Sequence, residues 1–131
     1  MKKLALAALA SLALTAPAVA DPIYGTWQTI ADDNGNYGHI LVRDCGDRGI
    51  CGTLERSFNS AGEQFTSENQ GRAIIWDMTA DGGGNYSGGK VYAPDRDKTY
   101  SSRIQISGNS LTVQGCILGI CRDGGVWQRV N

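Results

Sequence analysis

The sequence contains one histidine, His39, and that scarcity removes whole classes of chemistry. A histidine-rich metal site cannot be built from a single imidazole. A serine or cysteine hydrolase needs a base that takes a proton near neutral pH. No serine stands in a G-x-S-x-G elbow, and His39 lies in a strand-like segment, where a lone histidine reads as structural. The C-x-x-C spacing of a thiol redox centre is missing. No apolar run approaches the ~20 residues of a membrane-spanning helix, and nothing after residue 20 repeats with helical periodicity. There is no basic stripe either, which argues against nucleic acid as a partner.

What is present begins with a leader. Lys2 and Lys3 form a short basic start, Leu4 to Leu14 is apolar apart from Ser11, and Ala18-Val19-Ala20 fits the small-residue pattern of a cleavage site. Residues 1–20 therefore read as a secretory signal peptide. Position 21 is Asp and not Cys, so lipid anchoring at the new N-terminus is not expected. The remaining residues, 21–131, suffice for one domain. Without Lys2 and Lys3 this part carries ten basic and thirteen acidic side chains, a net charge of −3. All 18 glycines fall in it, which favours turns and strands over helices. No transmembrane segment remains after cleavage, and the expected location is the periplasm or the cell exterior.

Four cysteines follow the leader. Cys45 and Cys51 bracket GDRGI, and Cys116 and Cys121 bracket ILGI. An even count in an exported chain reads as disulfides. Of three possible connectivities, the local one is expected, Cys45–Cys51 with Cys116–Cys121. Each pair flanks a plausible hairpin tip, and facing residues of an antiparallel pair lie ~4.5–5.5 Å apart, within disulfide range. Loops this short gain only about 2 kcal/mol each. Structural zinc sites space their cysteines by about two to four residues, shorter than at least the first pair here, and the oxidising compartment also disfavours free thiolates.

Short strand-like segments separated by Gly, Asn and Asp clusters recur through the chain. They are Tyr24–Ile30, Gly38–Asp44, Cys51–Phe58, Arg72–Thr79, Tyr86–Ala93, Lys98–Ile106, Leu111–Cys116 and Val126–Val130. Eight strands joined by hairpin turns predict an all-β fold, an antiparallel up-and-down β-barrel. Closure removes the two edges that an open sheet would expose. The segments are mostly too short for an outer-membrane barrel, whose strands need ~9–11 residues. In Lys98–Ile106 the pleat is clear: Tyr100, Ser102, Ile104 and Ile106 share one face, expected inward, and Thr99, Ser101, Arg103 and Gln105 share the other. Leu111, Val113 and Gly115 form a similar set. In Gly38–Asp44, by contrast, both faces carry a charged or polar residue.

Gly25-Thr26-Trp27 at the start of the first strand is similar to the Gly-x-Trp pattern of lipocalins. That resemblance implies a Trp plugging one end of the barrel, with Arg129 packed across it. A wider resemblance runs through DPIYGTW, CGDRGICG, GGKVYAPDRDKTYS, GCILGICR and the terminal VWQRV, in that order. The chain resembles a family of small secreted bacterial proteins catalogued as domain of unknown function 2147. The resemblance implies a lipocalin-like barrel in the periplasm or outside the cell and no established reaction. Where that pattern usually has Asp before the Pro of its middle motif, this chain has Ala93, so no carboxylate role carries over to that position.

Other chemical constellations fail on inspection. Asp32, Asn34 and Asn36 match the start of a calcium loop, but Tyr37 stands where its Gly is required and Arg43 where its Glu is. Asp95 and Asp97 share one exposed turn in which nothing raises one pKa as a glycosidase pair requires. The Gly-rich DGGGNYSGG lacks the residues of a phosphate loop. No metal, no cofactor and no enzymatic activity are expected. The reading that remains is a lipocalin-like binder of a small apolar or amphipathic ligand, with Trp27, Trp76, Lys90, Tyr92 and Tyr100 as candidate ligand contacts and Tyr92 and Tyr100 flanking the mouth. Either these aromatics line a cavity, together with Trp127, or they fill a small core. The alternative is a cell-envelope protein-interaction module that uses its polar loops.

Overall fold

The computed structural model describes residues 20–131, so the predicted signal peptide falls almost wholly outside the described residues. Nine strands are formed: β1 Gly25–Gln28, β2 Tyr37–Asp44, β3 Ile50–Phe58, β4 Gln64–Phe65, β5 Ala73–Gly82, β6 Asn85–Ala93, β7 Lys98–Ser107, β8 Ser110–Ile117 and β9 Ile120–Arg129. Eight of them pair antiparallel with their chain neighbours, β1 pairs with β9, and the ring closes. β4 stands outside the ring, attached to the end of β3 at Ser57 and Phe58. The predicted eight-stranded up-and-down barrel is the fold. Among the described residues the only helical element is a 3-10 turn, Gly46–Arg48, and no helix is long and apolar enough to cross a membrane.

The turns follow from residue chemistry. Gly83 and Gly84 join β5 to β6 with φ of 65° and 83°, the left-handed pair that a tight two-residue hairpin needs. Both disulfides take the local pairing. Cys45–Cys51 closes the loop around the 3-10 turn, and Cys116–Cys121 joins residues directly opposite in the β8–β9 register.

Several boundaries differ from the sequence reading, with β5 running on to Gly82. β1 stops at Gln28, two residues early, and β4 occupies part of a segment expected to be loop. β9 starts at Ile120, six residues before the expected Val126. There, Gly124 and Gly125 broke the apparent pattern, but a bulge opposite Thr112–Gln114 absorbs them and the strand runs on.

The interior is apolar. Ile40 and Val42 point inward and are buried, whereas His39 and Arg43 lie on the other face, so the mixed pattern of β2 is a plain inside–outside alternation. On β7, Ser102 and Ile104 are buried and Thr99, Ser101, Arg103 and Gln105 are exposed, as expected. Ile23, Trp27, Ile75 and Leu111 have no exposed surface at all, which leaves no void large enough for water beside them. Burying an aliphatic side chain of this size stabilises by about 1.5–3 kcal/mol, and the cluster runs from Ile23 through Trp27, Ile40, Ile75, Ile104 and Val113 to Trp127.

His39 illustrates the outer face. Its Nε2 lies 3.1 Å from Gln28 Oε1 and its ring tilts against Phe58 at 4.6 Å between centroids. Burial first, and the Arg56 charge second, hold its pKa below the ordinary 6.5. The unfolded chain therefore binds this proton more readily than the native state, so His39 favours folding fully above pH 6.5 and progressively less as pH falls through that value towards the lower native pKa. Urea unfolding measured between about pH 7.5 and 5 is expected to show a shallower loss of stability on acidification in His39→Gln than in the natural chain. Equal slopes would contradict this assignment.

Candidate functional site

One end of the barrel is shut by the Gly-x-Trp segment. The Trp27 ring is fully buried, and its Nε1 donates to the Ile23 carbonyl at 2.8 Å. The Arg129 guanidinium lies 4.3 Å from the ring centroid and donates to the carbonyls of Tyr24, at 3.1 Å, and Pro22. Gly25 is required there: with φ of 134°, a Cβ would stand 2.5 Å from the Asn131 oxygen and 2.8 Å from an Arg129 nitrogen. Tyr86 donates its hydroxyl to Asp21 at the same end, and burial first and that bond second raise its pKa. These groups hold the plug together, and Trp27 has no face left for a ligand.

The other end carries the loops between β1 and β2, β3 and β5, β6 and β7, and β8 and β9. A row of inward-facing side chains crosses the strands there. Ile75 pairs with Val91, and Val91 with Tyr100. The register Ser101↔Cys116 then sets Tyr100 beside Ile117, which pairs with Ile120. Exposure rises along this row. Ile75 is fully covered, Val91 and Tyr100 are half-buried, and Ile117 and Ile120 are 59% and 67% exposed. Tyr100 lies across Gly115, whose absent side chain leaves its ring atoms 3.4 Å from where a Cβ would be. Two cations adjoin the row. Arg122 shares the face of Ile120 and pairs with Gly115. Arg96 is raised above its ordinary pKa chiefly by a hydrogen bond with the Tyr100 phenol, with Asp95 adding to the effect. The result is a shallow apolar rim with guanidinium groups at its edge.

Of the five residues expected to contact a ligand, only Tyr100 sits on this rim. Trp76 and Lys90 pair with each other on the outward face. Arg48 stands 5.8 Å from the Trp76 ring, and Lys90 Nζ lies 3.3 Å from Ser101 Oγ. Tyr92 pairs with Thr99, so the pleat sets it on the face opposite Tyr100 rather than beside it at the mouth. Its ring is covered by the Arg72 guanidinium at 3.5 Å, and its hydroxyl donates to Asp97 at 2.7 Å, which is the main cause of its raised pKa. Lys90 and Tyr92 share their face, as strand alternation requires. The rim also holds Val91, Ile117 and Ile120, which the sequence reading did not single out. The signal for the last two was present in CILGIC, three large aliphatics held between bonded cysteines.

Two concavities lie away from the rim. One, of about 470 Å³, is lined by Asp81, Ser87, Arg103, Gln105 and Gln114 among others on the outer face of β5 to β8. The other lies between Thr53–Arg56 and Gln70–Gly71. Both mix polar and apolar surface in nearly equal parts. Among the described residues no group of three or more His, Cys, Asp or Glu side chains is placed to hold a metal ion.

Known proteins agree with this architecture. A solved structure, protein HP1028 from the human pathogen Helicobacter pylori, described as belonging to the lipocalin family, superimposes with a TM-score of 0.64 at 16% identity, covering 86% of this chain and 85% of its own. At that identity the likeness speaks for the fold alone. No curated protein matches the sequence. The model of a family described as "Uncharacterized protein conserved in bacteria (DUF2147)" matches residues 25–129, from the Gly of the Trp27 plug to the Arg that packs on it. With that span matched, this lipocalin-like barrel belongs to the DUF2147 family.

Proposed function

We propose that this protein is a non-enzymatic binder, in the periplasm or outside the cell, of a small amphipathic ligand held at the open rim of the barrel. The observation that carries the reading is the cross-strand row at the open end. Val91, Tyr100, Ile117 and Ile120 keep apolar surface on the inner face, whereas the half of the barrel beneath them is filled. A ligand on such a rim buries its apolar part against these side chains. It leaves its head beside Arg96 and Arg122, so an acidic headgroup fits best. The two disulfides support an oxidising compartment, and the lipocalin-like fold supports a binding role.

Laurate is a suitable probe because it joins an alkyl chain to a carboxylate. Isothermal titration is expected to detect its binding. Tyr100→Ser, which removes the largest rim side chain, is expected to weaken binding by about tenfold or more, the effect of losing one buried aromatic contact. Lys90→Ala, on the outward face, should leave the affinity unchanged. Equal laurate affinity in all three proteins, or loss in Lys90→Ala alone, would move the site away from the rim.

A further inference from the structure

The β8–β9 hairpin ends in a feature that barrel closure does not require. Its two-residue turn is Leu118-Gly119, with φ of 52° and 82°. Such a turn favours Asn, Asp or Gly at its first position, because a left-handed backbone crowds any larger side chain. Here that position holds a leucine that is 97% exposed. The backbone cost is therefore not offset by burial anywhere in the protein. Ile117 and Ile120 flank it, also largely exposed, so the tip presents three adjoining aliphatic side chains to solvent. The Cys116–Cys121 disulfide, with Cα atoms 4.0 Å apart, ties the strands at the base of this tip. A tip fixed in this way loses little conformational freedom when it docks.

We infer that the Ile117–Ile120 tip is a membrane-contacting element that inserts its aliphatic side chains into the interfacial region of a lipid bilayer. The size and shape of the tip select a bilayer over a protein partner. The tip is convex and narrow, and its apolar surface is a fraction of the about 800 Å² per partner that a stable protein interface buries. A bilayer needs no shape complementarity and accepts a small apolar wedge. Lys98, Arg96 and Arg122 are exposed at the same end, where long cationic side chains reach lipid phosphates. The same end also carries Asp32, Asp33, Glu63, Glu68 and Asp95, so these cations act only locally and the apolar wedge carries the association. A wedge of three residues gives weak, reversible association, comparable to that of a single short lipid anchor.

The test is co-sedimentation of the oxidised protein, beginning at Asp21, with mixed phosphatidylethanolamine–phosphatidylglycerol vesicles at millimolar lipid. Residues 21–131 contain every strand of the closed barrel. The natural sequence is expected to sediment with the vesicles and to keep part of that binding at high salt. Leu118→Asp is expected to lower the partition coefficient about tenfold or more. Leu118→Asn, which suits the turn backbone, should lose binding similarly while remaining at least as stable to heat. Tyr100→Ser should sediment like the natural protein, which separates this inference from ligand binding at the rim. Failure of the natural protein to sediment, or equal sedimentation of Leu118→Asp, would overturn the inference. So would self-association in solution that Leu118→Asp abolishes without any vesicle binding, because the tip would then contact a second copy.

Discussion

Trp27→Ala is expected to destabilise the protein by about 3–5 kcal/mol, the range for removing a fully buried aromatic side chain. The position combines several losses. The ring has no exposed surface, its Nε1 satisfies the Ile23 carbonyl, and the Arg129 guanidinium rests on its face. Removing the ring opens a void in the tightest part of the barrel and leaves Arg129 without its platform. A domain of this size has only about 5–15 kcal/mol in total, so the variant is expected to lose about a fifth of its stability or more. Trp27→Phe keeps a ring under the guanidinium but forfeits the Nε1 hydrogen bond, and should cost about 1–2 kcal/mol. Urea denaturation of both variants checks the ordering. A Trp27→Ala protein within about 1 kcal/mol of the natural one would show that the plug is not packed as described.

Gly89→Ala is expected to have the second largest effect, for the opposite reason. The β5–β6 ladder is interrupted at Asp77–Met78 and Gly88–Gly89, where Asp77 and Gly88 have φ of 58° and 83°. This distortion brings the β5 backbone against Gly89. A Cβ at Gly89 would collide with the Trp76 carbonyl oxygen and Met78 Sδ, and would stand 2.8 Å from the Asp77 carbonyl carbon. Met78 has rotamers to yield with, but the backbone does not. Adding a methyl group to a full core usually costs about 1–3 kcal/mol, and the backbone collision sets the expectation at the upper end or beyond. The neighbouring Gly88→Ala is the control. It meets nothing within 4 Å, so only its left-handed backbone counts, at about 1–2 kcal/mol. If the two substitutions cost the same, the close approach of β5 to β6 at this point is wrong.

Both effects rest on features whose legibility in the sequence differed. Trp27 was readable because Gly25-Thr26-Trp27 and Arg129 form a recognisable pattern, and the structure joins them. The strands on either side of the β7–β8 turn were readable because their alternation is clean. Gly89 was not readable: its neighbour across the ladder is Trp76 backbone, brought there by paired distortions that no local pattern announces. The disulfides were legible because each pair flanks a hairpin, although the chain-entropy estimate alone gives more to long-range pairings.

The site was less legible than the fold. Aromatic and charged residues in GGKVYAPDRDKTYSS drew attention to a hairpin that borders the rim but not to the face that lines it. The pleat separates Tyr92 from Tyr100, and Tyr92 spends its hydroxyl on Asp97 and its ring on Arg72. Trp76 was attractive as a large aromatic, yet it lies half-buried on the outward face beside Lys90. The rim is made instead by aliphatic residues, which in sequence look like core. Their exposure depends on where the strands end, and the early start of β9 at Ile120 was the boundary that pattern reading placed worst.

The central claim is that the barrel is filled at its Trp27 end and offers its binding surface at the open rim. The most direct measurement is an amide chemical-shift map of the oxidised protein titrated with laurate. The account predicts saturable shifts concentrated at Val91, Tyr100, Gly115, Ile117 and Ile120, with Trp27, Leu111 and Val113 unmoved. Saturable shifts centred on Trp27, Leu111 and Val113, with the rim silent, would contradict it.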